Sequence, residues 1–136
     1  MSDKVRWGLL ATGGIAEAFA RALRASQTGE LTAVGSRTQE KADKFGAAFG
    51  VARCHGTYEA LLADPQVEAV YISTPHPQHA EWTIKAAEAG KHILSEKPLA
   101  TSRLEATQAV EAARNNKVTL RVGYQYRFRP ASLRLF

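Results

Sequence analysis

Short strand-like runs alternate with longer helix-like runs along most of this 136-residue chain, and that alternation restricts its fold more than any other feature. Residues 5–10 form an apolar run with β-branched and aromatic bias, broken at Gly13-Gly14. From Ile15 the spacing Ile15, Phe19, Ala22, Leu23 predicts an amphipathic helix ending near Gly29. Residues 31–35 read as a second strand. Thr38 then caps a helix with Glu40 and Lys41 in its first turn and Phe45 and Phe49 one turn apart. A short third strand is expected over 51–54. Thr57 opens a brief helix over Ala60, Leu61 and Leu62, closed by Asp64-Pro65. Residues 67–73 read as a buried strand, and a helix over 78–89 stops at Gly90. A fifth strand over 92–95, a helix capped by Thr101 or Ser102 and running to about Asn116, and a sixth strand over 118–122 complete the pattern.

Strands separated by helices of this length make parallel β-α-β units. Right-handed crossovers then favour an α/β fold with a doubly wound parallel sheet of Rossmann type, in strand order 3-2-1-4-5-6. Residues 1–122 make one domain, and a hydrophobic fraction of 45% is enough to pack it. Residues 123–136 differ: Tyr124, Tyr126 and Phe128 alternate with polar residues, and helix-like residues follow Pro130. That segment reads as the start of a crossover into a second domain, absent here.

Bulk properties exclude several classes. The single cysteine, Cys54, forms no internal disulfide, which suits a reducing compartment. Residues 1–30 lack a signal-peptide layout and the apolar runs are too short for a bilayer, so a cytoplasmic protein with no membrane partner is expected. The net charge of +5 sits in the last 25 residues, which carry six Lys/Arg and no acid. A basic tail of this kind does not make a nucleic-acid surface, and none is expected.

The turn after the first strand carries the chemistry. In Ala11-Thr12-Gly13-Gly14-Ile15-Ala16 the key positions of G-x-G-x-x-G/A are Ala11, Gly13 and Ala16. Gly13 lets backbone approach a pyrophosphate, Ala16 lets helix and strand pack closely, and four unpaired N–H groups at the helix start face the phosphates. Thr12, Gly13, Gly14 and Ile15 are therefore cofactor-binding candidates. Ala11 departs from the pattern, at an expected cost of about 1 kcal/mol.

A NAD-binding protein places an acid on the ribose 2′-hydroxyl at the end of the second strand. This chain has Gly35-Ser36-Arg37-Thr38 there, with Lys41 one turn on. Ser36, Arg37 and Lys41 can grip a 2′-phosphate, so NADP is preferred and NAD is the alternative.

Three blocks, Ala11-Thr-Gly-Gly-Ile-Ala16, Ser73-Thr-Pro-His-Pro-Gln-His79 and Ala89-Gly-Lys-His-Ile-Leu-Ser-Glu-Lys-Pro98, together resemble the Gfo/Idh/MocA oxidoreductases over about residues 4–130. The resemblance implies hydride transfer between a nicotinamide cofactor and a hydroxyl carbon of a sugar, cyclitol or related diol. It implies that Thr74, Pro75 and His79 lie along the cofactor and that Glu96, Lys97 and Pro98 sit where nicotinamide meets substrate, Glu96 near the nicotinamide ribose. Lys97 is the catalytic candidate: beside a cationic ring its ammonium loses its proton more readily and polarises the reacting oxygen. The competing reading of Lys97 is a surface lysine paired with Glu96. Arg127 is carried over as a cofactor-side contact, and the peptide before Pro98 is often cis in such proteins, which admits a cis bond here.

No metal site is expected. His76-x-x-His79 has ligand-like spacing without a third partner, and Cys54-His55 is equally incomplete. Family members carry a second, larger domain that supplies the substrate floor and a further acid–base residue, so a sugar or polyol would bind only with that domain. The alternatives are a stand-alone, non-catalytic NADP(H)-binding module and an interaction protein, self-associating as a homodimer through the aromatic strand in 123–136.

Overall fold

The computed structural model describes residues 3–123. Six strands, β1 (Val5–Leu10), β2 (Gly29–Gly35), β3 (Arg53–His55), β4 (Ala69–Ile72), β5 (His92–Glu96) and β6 (Leu120–Gly123), form one sheet. Their order is β3-β2-β1-β4-β5-β6 and every pairing is parallel, as the alternating pattern requires. The connecting helices are α1 (Gly14–Ala25), α2 (Gln39–Phe49), α3 (Tyr58–Leu62), α4 (His79–Glu88) and α5 (Arg103–Asn115). None is long and apolar enough to cross a membrane.

Successive strand residues face opposite sides of a sheet, so neighbours in one strand serve different cores. Leu10, Val70, Ile72 and Ile93 pack with Tyr58, Leu61, Trp82 and Ala86 from α3 and α4. Leu9, Val34 and Tyr71 pack on the other face with Ala16 and Ala20 of α1 and Phe45 of α2. Burial on both faces explains why the central strands read as continuous apolar runs. Trp82 stands edge-on to Tyr58, and Trp7 edge-on to Phe19, so both tryptophans are packing residues.

Helix ends follow the sequence closely where a hydroxyl caps them. Thr38, Thr57 and Ser102 each accept a hydrogen bond from the backbone N–H three residues on; of the two candidates at α5, Ser102 is the cap. Gly90 takes φ +77° after α4, as its role as a stop requires.

Several boundaries differ from expectation, among them β4, which runs Ala69–Ile72 rather than 67–73, and β6, which runs Leu120–Gly123 rather than 118–122. α1 ends at Ala25, not near Gly29, because Ser26 turns extended and its Oγ accepts from the N–H groups of Thr28 and Gly29, which start β2 early. β3 begins at Arg53 rather than 51, because the Val51 N–H closes the end of α2 on the Gly46 carbonyl. A Cβ on Gly46 would lie 2.2 Å from Cys54 Sγ, so only glycine lets α2 approach this strand so closely. A single 3-10 turn, His76–Gln78, precedes α4.

Ahead of β4 and β5 the structure is tied by buried charges. The Asp64 side chain is 1% exposed. It accepts from Arg53 Nε and Nη2 at 2.7 and 2.8 Å, His55 Nε2 at 2.9 Å and the Gln66 N–H at 2.9 Å. The Arg53 guanidinium above all holds this carboxyl well below the usual carboxylate range, helped by the Gln66 N–H and His55 against the opposing effect of burial. Buried Lys91 donates from Nζ to the Asp64 and Val67 carbonyls at 2.8 and 2.7 Å, and burial pushes its pKa down. That contact gives the lysine of the Gly-Lys-His block a structural role that the sequence did not disclose.

Asp64→Asn should therefore destabilise the fold by about 2 kcal/mol at neutral pH, tempered because Arg53 is half-exposed to screening solvent. A depressed folded-state pKa adds stability that is complete above about pH 4 and fades as acid protonates the carboxyl. Urea unfolding should show the gap between wild type and variant narrowing below about pH 4. A gap constant with pH would exclude the charge as its source.

Candidate functional site

The carboxyl ends of β1, β2 and β4 open onto a groove of about 710 Å³, lined by the β1–α1 turn, the start and inner face of α2, Tyr58 and the loop after β4. The chain leaves β1 in one direction toward β2 and returns on its other side at β4, so no crossover covers this crevice. Thr12, Gly13, Ser36, Arg37, Lys41, Thr74 and Pro75, all singled out from the sequence, line it together. Gly14 and Ile15 belong to the first turn of α1 beside the groove but do not line it.

The groove's chemistry is that of an anion site. α2, α3 and α5 each cap one first-turn amide with a side chain, whereas α1 at Gly13 and α4 at Gln78 have no side-chain cap, and of these two caps Gly13 is the one on the groove wall. A Cβ on Gly13 or Gly14 would meet nothing within 4 Å, so the space beside these amides is open. Ser36 is 3% exposed, and its Oγ lies 3.5 Å from Thr12 Oγ1. Arg37, Lys41 and Lys44 line the groove against one carboxylate, Glu17. Arg37 lies near enough to Tyr58 to oppose the burial that raises the phenol's pKa. Thr74 is buried, yet its Oγ1 has no hydrogen-bond partner among the described residues. An orphaned hydroxyl on the wall of a groove is what a polar ligand would satisfy.

Ala11 takes φ +101°, in the region that favours glycine. Its N–H nevertheless donates to the Gly35 carbonyl at 3.0 Å, which fixes the turn against β2. The strain is on the order of 1–3 kcal/mol, at or above the sequence-based figure.

His79 does not lie along the groove. It is 0% exposed, with Nδ1 at 2.7 Å from the Pro98 carbonyl oxygen and Nε2 at 2.6 Å from that of Thr74. The ring bridges the loop after β4 and the loop after β5, with a carbonyl oxygen at each of its nitrogens. His79, expected along the cofactor, is thus set behind the groove and bonded to the carbonyl of Thr74, a residue that lines it. Glu96, Lys97 and Pro98 follow at the end of β5, outside the groove lining but joined to Thr74 through this ring. The Lys97–Pro98 peptide is cis, the isomer that the resemblance admits.

Glu96 accepts a short hydrogen bond from the Tyr71 hydroxyl rather than pairing with Lys97. Lys97 is exposed and makes no ion pair among the described residues, so the competing surface-pair reading is not what forms. Arg127 and the aromatic strand proposed for self-association lie outside the described residues.

Sequence reasoning missed Lys44, Tyr58, Ser73 and His76 on the groove wall. Lys44 was within reach, one helical turn beyond Lys41. Tyr58 arrives from α3 across the sheet end, a contact no local pattern encodes.

The comparisons agree with this geometry. The family model described as "Oxidoreductase family, NAD-binding Rossmann fold" (GFO_IDH_MocA) matches residues 5–124. The chain is 36% identical over 129 residues to trans-1,2-dihydrobenzene-1,2-diol dehydrogenase of Mus musculus, covering 93% of this chain and 39% of that protein. It is 38% identical over 129 residues to D-xylose 1-dehydrogenase (NADP(+)) 2 of Haloferax volcanii, covering 94% and 39%. Among solved structures, the 3-ketoreductase KijD10 of Actinomadura kijaniata, in complex with TDP-benzene and NADP, superposes with a TM-score of 0.91 at 34% identity. That match covers 97% of this chain and 42% of KijD10. The chain thus spans about two fifths of the length of these relatives.

Replacing Ala11 by Gly should relieve the positive φ and raise stability by about 1 kcal/mol, part of the relief being offset by the freer unfolded chain. A thermal melt should rise by a few degrees, as about 1 kcal/mol does in a domain of this size. No change would mean that the relieved strain does not exceed the entropy that glycine adds to the unfolded chain.

Proposed function

We propose that this chain, which belongs to the Gfo/Idh/MocA oxidoreductase family, is the NADP-binding half of an enzyme that moves hydride between a nicotinamide cofactor and a hydroxyl carbon of a sugar, cyclitol or related diol. The observation that carries the choice of NADP is the end of β2: buried Ser36 beside Arg37, with Lys41 and Lys44 on the same wall and no acid in the place of a ribose carboxylate. Relatives described as acting on a diol and on D-xylose, the latter with NADP, support the substrate class.

The residues present fit the cofactor. The bare amides at Gly13 and the first turn of α1 would take the diphosphate, Ser36, Arg37 and Lys41 the 2′-phosphate, and Thr74 Oγ1 a further polar group. Thr12 and Pro75 shape the groove between them. The bound nicotinamide supplies the hydride acceptor or donor. Lys97, free of an ion pair among the described residues, holds the proton at Nζ that goes to or comes from the substrate oxygen. His79 fixes the loop on which Lys97 stands. The second acid–base group and the substrate floor are assigned to the part of the enzyme beyond this chain, and a cytoplasmic location suits the free thiol of Cys54.

Calorimetry with NADPH and NADH tests the reading. Arg37→Ala should weaken NADPH by about 1–3 kcal/mol and leave NADH nearly unchanged. Equal losses for both cofactors would remove the 2′-phosphate site.

A further inference from the structure

Tyr71 stands in the middle of the sheet at 4% exposed, on the face covered by α1. Its ring stacks on Phe19 of that helix, with centroids 4.1 Å apart and planes 13° from parallel. Packing alone would be served as well by phenylalanine. The hydroxyl is the part that packing does not explain, and it donates to Glu96 Oε2.

The reach follows from register. Tyr71 is aligned with Leu94 on β5, and Glu96 lies two residues further along the same face. The partner of Glu96 on β6 is Gly123, which brings no side chain to compete for the carboxylate. Glu96 Oε1 has no hydrogen bond among the described residues. Lys97, next in sequence, is exposed and makes no ion pair among the described residues. Burial first, and then Glu96, raise the Tyr71 pKa, so the phenol keeps its proton at neutral pH and remains a donor.

We propose that Tyr71 is a positioning residue for the cofactor: by holding Oε2 it fixes the Glu96 carboxylate at the end of β5 and leaves Oε1 as the acceptor for a hydroxyl of the nicotinamide ribose. The proposal rests on the reading of Glu96 as a cofactor-side residue. It adds a device behind that residue, rooted in the hydrophobic core, by which the stacked aromatic pair sets the carboxylate's orientation.

A double-mutant cycle tests it. Wild type, Tyr71→Phe, Glu96→Ala and the double variant are titrated with NADPH and with 2′,5′-ADP, which lacks the nicotinamide and its ribose. Tyr71→Phe should weaken NADPH about fivefold to tenfold, the scale of one lost hydrogen bond, and leave 2′,5′-ADP unchanged. In the Glu96→Ala background the same change should cost less than about twofold. An unchanged NADPH affinity, an equal loss for both ligands, or the same loss in both backgrounds would each overturn the proposal. Should Tyr71→Phe fail to fold, Glu96→Asp, whose shorter side chain draws the carboxylate back from the phenol, should weaken NADPH alone; no effect there also overturns it. A wild-type chain that binds neither ligand brings down the cofactor reading itself, whereas one that binds both and ignores Tyr71→Phe brings down only the role of Tyr71.

Discussion

The functional end of this molecule depends on one reversal of winding. From β1 the chain builds outward through β2 and β3, with α1 and α2 on one face, and then returns to lay β4 against the free side of β1. Parallel strands all bring their carboxyl ends to one edge, and at the reversal two loops diverge instead of crossing. The opening between them is the only provision the fold needs to make for a ligand. The β1–α1 turn, the end of β2 and the loop after β4 surround it because they are the three connections nearest that point. The pattern of charges in the groove is then a matter of a few side chains placed on a frame that would exist without them.

How much of this is legible in the sequence depends on the range of the interaction. Thr38, Thr57 and Ser102 act on amides three residues away, so the local pattern discloses them. The strand order also followed, because handedness leaves few ways to connect alternating strands and helices. Ser36, Arg37 and Lys41 were legible because the end of β2 has a fixed place relative to the turn after β1. By contrast, Lys91 bonds carbonyls at positions 64 and 67, and His79 bonds those of Thr74 and Pro98. Both residues stand inside motif blocks, where presence in the block says nothing about whether a side chain faces ligand or backbone. Ala11 is a third kind of case: its residue type predicted a modest cost, while the φ the turn demands is set by the Gly35 carbonyl on the neighbouring strand.

The two edges of the sheet use charge in opposite ways. Ahead of β4 and β5, Asp64, Arg53, His55 and Lys91 satisfy one another and the backbone, and a buried charge so completely bonded serves rigidity alone. At the carboxyl edge, Arg37, Lys41, Lys44 and Lys97 form no ion pair among the described residues. Three of these cations, Arg37, Lys41 and Lys44, line one opening and repel one another, and the fold tolerates them because they are exposed. That residual repulsion is relieved when an anion with several phosphoryl groups enters. The asymmetry is therefore more than a distribution of surface charge: it sets uncompensated positive charge where the bare α1 amides already point, so that an anionic ligand meets both.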